Sequence, residues 1–443
     1  MKTIYKPKLL LQKSKFIENT GVLVEDGKIK EIGEYGDIFN ANRDAKIIRW
    51  DKLAMIPGTV NVHNHSFQSL LRSIATDKPF LVWRDQALYK YSPVLNEEDI
   101  YTGALFAFAE MMRYGVTTVS DFFYVHNHGI LSDEAVIRAA KDVGIRLVLA
   151  RTMYDWDGAP KGYQETIETA TKNVRALAVK YQGNDMVTIS PAPHSLHAAS
   201  IDMIKAGHNL ARELDTKCHI HVAEEMFEVN DTVKNFGLRP VQLLDKIGVL
   251  DERIVAVHSV WLNDVELALM GKRKTSLAYC PSSNMFLADG VTNIPVLVKN
   301  GVTVGLGTDG ACSNNRISVF EEMRMVSLLQ KVNNLDCTII NSNDAFNMGT
   351  ENGGEVLGIP VGKIEKGYMA DFVGIDIDDL SLQPIYSPNQ SLIPNIVYSM
   401  QPNAISNVVV AGEERVIDGK LVSITEEKVV SRVKGLVEKL NGI

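Results

Sequence analysis

A chain of 443 residues, 45% hydrophobic and 23% charged, has ample apolar material for a large buried core and is long for one domain. A net charge of −8 gives no electrostatic reason to expect a nucleic-acid partner, and no apolar run approaches the length of a membrane-spanning helix. The four cysteines (Cys218, Cys280, Cys312, Cys337) lack paired spacing, which suits a reduced, cytoplasmic compartment rather than a disulfide framework.

In chain order, the opening "MKTIYKPKLLLQKSKF" carries only a short leucine core between lysines, less than a signal peptide needs. "GVLVEDGKIKEIG" then predicts two short strands joined by Asp26-Gly27, a strong hairpin signal. From residue 57 the pattern alternates. Strand-like runs occur at "IPGTVNVHN", "VTTVSDFFY", "IRLVLARTM", "VTISPAPHS", "CHIHVAEE", "IVAVHSV", "TSLAYCPS" and "TVGLGTDG". Helical patterns separate most of them: Asn96 caps one that closes at Gly115, Ser200 caps "IDMIKAGHNLAREL", and Pro240 and Pro295 sit in first turns. "IEKGYMADFVGID" returns to strand. "NVVVAGEERVIDGKLV" turns at Ala411-Gly412 and Asp418-Gly419, and "EEKVVSRVKGLVEKL" has helical spacing.

Eight strands alternating with helices over about 300 residues predict a (β/α)8 TIM-like barrel. The barrel spans 57–360, with 1–56 and 361–443 forming a small β-sandwich domain and a terminal helix. The competing architecture is an open, doubly wound sheet. No glycine-rich phosphate fingerprint follows the first strand, which counts against its nucleotide-binding form.

Barrel enzymes carry their chemistry at the C-terminal ends of strands. Here those ends read His63/His65, Asp121, Arg151, His194, His221/Glu224, His258, Cys280 and Asp309. A lone histidine is usually a hydrogen-bonded structural residue. His63 and His65, two apart on a strand, share a face and lie about 7 Å apart, close enough for both rings to grip one ion. Of the alternate pair His219 and His221, the latter lies nearer the strand end. Asp309 in "GTDG" could merely cap a turn, but three histidines aimed at the same mouth favour a ligand. The predicted metal set is therefore His63, His65, His221 and Asp309, suited to one Zn²⁺ per chain, or less often Fe²⁺. Glu224 could be a surface carboxylate, yet three residues beyond His221 it is well placed for proton transfer. A second HNH, with His126 and His128, falls in the loop after Tyr124 and is expected to serve that loop rather than bind the metal.

These segments resemble the amidohydrolase superfamily, in its single-metal deaminase branch. "PGTVNVHNH", "HIHVAEE", "AVHSV" and "GTDGACSNN" occur in the family's order, and the resemblance covers nearly the whole chain. It implies that His258 orients or polarises hydroxide without ligating metal, while Glu224 and Asp309 move protons. "GTDGACSNN", with Ser313, is similar to methylthioadenosine/S-adenosylhomocysteine deaminases and triazine hydrolases. "HSFQ", "WRDQALY", "DFFYVHNH" and "APHSLHA" are similar to formiminoglutamate deiminase. The first group implies a ribose-binding glutamate where this chain has Val82, and the second a carboxylate-binding arginine where it has His197. The expected substrate-binding set is Gln68, Trp83, Arg84, Tyr124, Arg151, His194, His197 and Ser313.

The function these readings imply is hydrolytic deamination of a compact aminated heterocycle at an amidine-like C–N bond, with at most one anionic group on the substrate. The alternatives are a formimino-amino-acid iminohydrolase and a triazine-type chlorohydrolase. A two-metal enzyme would need a bridging lysine that "VTISPAPHS" lacks, and a non-catalytic barrel would have lost ligands that this chain keeps. The resemblance also implies a homo-oligomer.

Overall fold

The protein is described by a computed structural model that covers residues 2–442. Five strands open the chain: β1 (Lys2–Gln12), β2 (Lys15–Ile17), β3 (Thr20–Glu25), β4 (Lys28–Glu34) and β5 (Lys46–Pro57). Asp26 and Gly27 both take left-handed φ, 51° and 75°, and pair Glu25 with Lys28 across a two-residue turn. Four more strands come from the other end: β14 (Phe372–Asp376), β15 (Ile405–Val410), β16 (Glu413–Ile417) and β17 (Lys420–Leu421). The two ends join where β14 runs antiparallel to β5, making one mixed sheet in the order β17-β16-β15-β14-β5-β1-β3-β4 with β2 on β1. One face buries Tyr5, Trp50, Met55 and Phe372, and Ile38 of the helix Tyr35–Ala41 packs with Ile4 and Leu23.

Between them lie β6 (Thr59–Asn64), β7 (Val116–Phe123), β8 (Arg146–Met153), β9 (Val187–Pro193), β10 (Cys218–Val222), β11 (Ile254–His258), β12 (Ser276–Tyr279) and β13 (Val304–Leu306). They form two parallel runs, β6-β7-β8-β9 and β10-β11-β12-β13, each in chain order. Nearly every residue in them is buried, as strands covered on both faces require. The runs meet at two seams. At one, His221 N–H donates to the His194 carbonyl at 3.0 Å; at the other, Asp309 N–H donates to the His63 carbonyl at 3.0 Å. Asn61 adds two bonds across the second seam, to Thr308 Oγ1 at 2.8 Å and from Thr308 N–H at 3.1 Å. The closed seams distinguish the barrel from an open doubly wound sheet. Inside, Val62, Val148, Val255 and Val257 cluster with Val356.

The expected caps are present. Asn96 and Asp99 form a reciprocal capping box on the helix Glu97–Arg113, and Ser200 Oγ caps Ile201–Leu214. Among the described residues no helix is long and apolar enough to cross a membrane. Cys218, Cys280 and Cys312 are buried thiols and Cys337 an exposed one.

Candidate active site

The β6 histidines reach the barrel interior through a bulge. Asn61 pairs with Val119 and Asn64 with Asp121, so β6 spends one more residue than β7 over this stretch. Strict alternation from Val60 and Val62, which face the interior, would have turned His63 and His65 toward the outer helices. The extra residue reverses that parity. The turn that follows is held by Asp121, which accepts from Asn64 Nδ2 at 3.1 Å, Ser66 N–H at 2.6 Å and Ser66 Oγ at 2.7 Å.

His65 Nδ1 donates to the Phe122 carbonyl at 2.5 Å and His221 Nδ1 to the His194 carbonyl at 3.0 Å. These bonds put the ring protons on Nδ1 and leave both Nε2 atoms as lone pairs. The lone pairs face one another and Asp309. His221 Nε2 lies 3.3 Å from His63 Nε2, and Asp309 Oδ1 lies 3.6 Å from His63 Nε2 and 3.3 Å from His65 Nε2. Burial, reinforced by the neighbouring rings, lowers His65 to about 4 and holds His221 well below the usual histidine range. Burial would raise the Asp309 carboxyl, but His63 and the other imidazoles hold it well below the ordinary range. Neutral nitrogens and a carboxylate turned inward on one point call for a cation. Two ligands of a tetrahedral zinc, at about 2.0–2.1 Å, lie about 3.3 Å apart. The residues present fit that ion.

Close packing surrounds the ligands. A Cβ on Gly307 would sit 2.8 Å from His63 Cβ, so only glycine lets the chain after β13 pass the ligand. Ser283 Oγ and Gly310 N–H donate to Asp309 at 2.6 Å and 2.7 Å. Asp309 has φ 56°, and His258 and Ser259 have φ 64° and 52°, left-handed values that cost of order 1–3 kcal/mol each and gather at functional sites. For His258 the kink matters. By alternation it would follow Ile254 and Ala256 outward, yet its ring lies 5.7 Å from that of His63.

Glu224 Oε1 lies 3.4 Å from His258 Nε2. Burial, with Asp289, Asp309 and Glu228 nearby, raises Glu224 well above the carboxylate range. Burial also lowers His258 to about 3. Glu224, His258 and Asp309 form a second compact group beside the three ligand histidines.

A small cavity of about 60 Å³ opens onto this group. Of the expected substrate-binding residues, Gln68, Trp83, Arg84, Tyr124, His194 and His197 line it. Gln68 Nε2 donates to Tyr124 Oη at 2.9 Å, and Trp83 Nε1 ties the overlying segment to the Cys312 carbonyl at 2.9 Å. Arg84 is bonded to Asp85 and lies over the Tyr89 ring at 4.6 Å. His194 stacks on His221 at 4.8 Å, and burial lowers His197 to about 4.

Two expected residues do not reach the cavity. Arg151 sits on β8 with the parity opposite to the interior-facing Val148, so it points into the helix layer. There its Nε donates to Asp133 at 2.9 Å and its Nη atoms to Glu165 at 2.7 Å and 2.9 Å, which consumes the guanidinium. Ser313 is buried in a turn, its Oγ donating to the Gly310 carbonyl at 2.9 Å. His126 belongs to the Arg151 cluster, 3.4 Å from Asp133 Oδ1, and His128 is exposed in the loop.

Tyr89, Tyr154, Tyr163, Phe80 and Leu88 also wall the cavity, and the sequence reading did not name them. Tyr154 stands immediately beyond β8, where a count from the strand end would have found it. Tyr163 lies ten residues past that end, and nothing local marks it.

A parallel barrel with three converging imidazoles and a carboxylate at its strand ends, beside a second buried carboxyl, is the architecture of a metal-dependent hydrolase. The profile of the Amidohydrolase family matches residues 54–421. The 5'-deoxyadenosine deaminase of Methanobrevibacter smithii is 36% identical over 443 residues, covering 99% of this chain and 98% of its own. The 5-methylthioadenosine/S-adenosylhomocysteine deaminase of Pyrococcus furiosus is 34% identical, covering 95% and 96%. An adenosine deaminase from Xanthomonas campestris, solved with bound zinc, superposes with a TM-score of 0.91 at 25% identity over 100% and 99% of the two chains. The chain belongs to the amidohydrolase family. It is a hydrolase of carbon–nitrogen bonds other than peptide bonds, of the deaminase kind.

Proposed function

We propose that this protein hydrolytically deaminates an adenine-type base carrying an apolar substituent, using one Zn²⁺ held by His63, His65, His221 and Asp309, with Fe²⁺ as the alternative metal. The observation that carries this reading is a buried Glu224 beside the converged ligand atoms at the floor of an aromatic-walled cavity. When bound, the metal supplies a water of pKa near 7 as the nucleophile. Glu224 donates its proton to the ring nitrogen beside the amino-bearing carbon as the new C–O bond forms. Asp309 takes the water's proton and passes it toward the amino group, which leaves as ammonia when the C–N bond breaks. His194 and Tyr124 border the reacting face, and Trp83 offers a ring for stacking.

The relatives named for 5'-deoxyadenosine and methylthioadenosine support an adenine nucleoside without a free 5' hydroxyl. Phe80, Trp83 and Leu88 in the outer wall suit an apolar 5' group. Val82, half out in solvent, offers the sugar hydroxyls no acceptor. The iminohydrolase alternative needs a free cationic fork for two carboxylates; Arg84 is taken by Asp85 and His197 is neutral. Residues 57–360 form the catalytic unit in this reading, with 1–56 and 361–443 supporting it. A homo-oligomer is supported by an exposed apolar stripe, Leu328, Val332 and Leu335, along and just past the helix Val319–Asn334. A reduced, cytoplasmic compartment is supported by four free thiols.

The test is ammonia release from 5'-deoxyadenosine, methylthioadenosine, adenosine, adenine and formimino-glutamate by the zinc-loaded protein. Turnover of the 5'-substituted nucleosides is expected. Turnover of formimino-glutamate, abolished in Arg84→Met, with the purines untouched, would replace this reading with the deiminase one.

A further inference from the structure

His258 stands beside Glu224 and Asp309, and which of its nitrogens carries the proton decides what it can do there. Its Nε2 looks toward Glu224 Oε1 at 3.4 Å, and its Nδ1 looks the other way, to Asn284 Nδ2 at 3.2 Å. Asn284 comes from the short helix Pro281–Phe286 that follows β12. Its amide nitrogen also donates to Asp289 Oδ2 at 2.9 Å, while its Oδ1 has no partner. Asp289 is in turn tied back by its own N–H to the Asn284 carbonyl at 2.9 Å. All three side chains are 1% exposed, so water does not compete for these bonds.

An asparagine amide nitrogen has two hydrogens. Burial and Glu225 raise Asp289 to about 8, and the proton it holds is shared with Glu225; its Oδ2 at 2.9 Å therefore takes the first amide hydrogen, which assigns that amide atom as nitrogen rather than oxygen. The second then points at His258 Nδ1. Two donors cannot face each other at 3.2 Å, so Nδ1 must present its lone pair. The ring is neutral, so its single proton sits on Nε2.

We propose that Asn284, clamped by Asp289, is a positioning residue that locks His258 in the Nε2–H tautomer. His258 then serves as a fixed hydrogen-bond donor toward Glu224 and the reacting oxygen, and it cannot act as the base. The water's proton is left to Asp309. The roles assigned to Glu224 and Asp309 rest on the deaminase reading; the tautomer does not.

The experiment is ¹⁵N NMR of the histidine rings in the zinc-loaded protein, wild type and Asn284→Asp, with kinetics on the same samples. In wild type, His258 should show a protonated Nε2 and an unprotonated Nδ1. A carboxylate at 284 accepts from Nδ1, so the variant should show the opposite pattern. Its kcat should fall about 10–100-fold, the range for partners that orient site histidines, with KM little changed. In a His258→Asn background the same change should cost nothing further. A wild-type ring protonated on Nδ1 overturns the proposal, as does a loss in Asn284→Asp that is the same size with and without His258. The wild-type spectrum requires no variant to fold, and a protein that released no ammonia would still report its tautomer.

Discussion

At the scale of single residues, burial does most of the chemistry. Glu224 and Asp309 are both carboxyls in the same pocket, and they sit on opposite sides of their ordinary range because only one is surrounded by imidazoles. Glu224→Gln should keep its metal and lose about 10²–10⁴-fold in kcat, since the amide fills the same space and carries no proton to give. Metal content by elemental analysis and turnover on one sample check this; near-normal turnover would move the acid to Glu225. The two HNH tripeptides can be separated the same way. His63→Ala should empty the site. His126→Ala should keep the metal and lower the melting temperature, because it breaks a buried contact with Asp133 in the Arg151 cluster. Metal retained in the first variant and lost in the second would reverse the assignment.

At the scale of elements, the segment after β6 matters most. It turns through Ser66–Leu71, recrosses the mouth as Phe80–Trp83 and Arg84–Tyr89, and is pinned by Trp83 to Cys312. Its Phe80, Trp83, Arg84, Leu88 and Tyr89 wall the cavity over the site. If the tie holds this wall in place, loosening it weakens substrate binding. Trp83→Phe removes the tie while leaving a ring. Amide exchange over 80–89 should quicken and KM should rise several-fold, with kcat much less affected. Unchanged exchange in the variant would show that the tie does not hold the segment.

At the scale of the molecule, the proposed metal site joins two halves. His63 and His65 come from the first run of strands, and His221 and Asp309 from the second, beside the seams where the runs meet. Chelation should lower the melting temperature markedly, since a ligand at 1,000 times its Kd contributes about 4 kcal/mol, and exchange should rise first at the seams. A melting curve indifferent to chelator would mean that the seams close without the ion. A second global prediction follows from Glu322, fully buried and raised to about 8 by that burial against an ordinary 4.5. The folded state keeps a proton that the unfolded chain has released, so stability from this group is full below pH 4.5 and declines as pH rises toward 8. Glu322→Gln should therefore gain on wild type between pH 5 and pH 8.5 in paired denaturation curves, and a constant difference would show that the carboxyl is ionised throughout.

The chain's periodicity, by itself, determined the alternation of strands and helices, the turns at Asp26-Gly27 and Asp418-Gly419, the caps at Asn96 and Ser200, and the order of the ligand segments. Those are local properties, and local chemistry writes them. Which way a strand's side chains face is different. Arg151 could have been placed outside by counting from Val148, since β8 alternates regularly. His63 and His65 could not, because they face inward only through a bulge that exists in the pairing of β6 with β7. His258 likewise depends on a left-handed kink after a regular strand. Tyr163, Asn284 and Asp289 reach the site from short connecting segments whose paths are set by what they pack against. Only the tertiary structure decided these, because a bulge, a kink and a loop path are each chosen by a neighbouring element rather than by the residues that carry them.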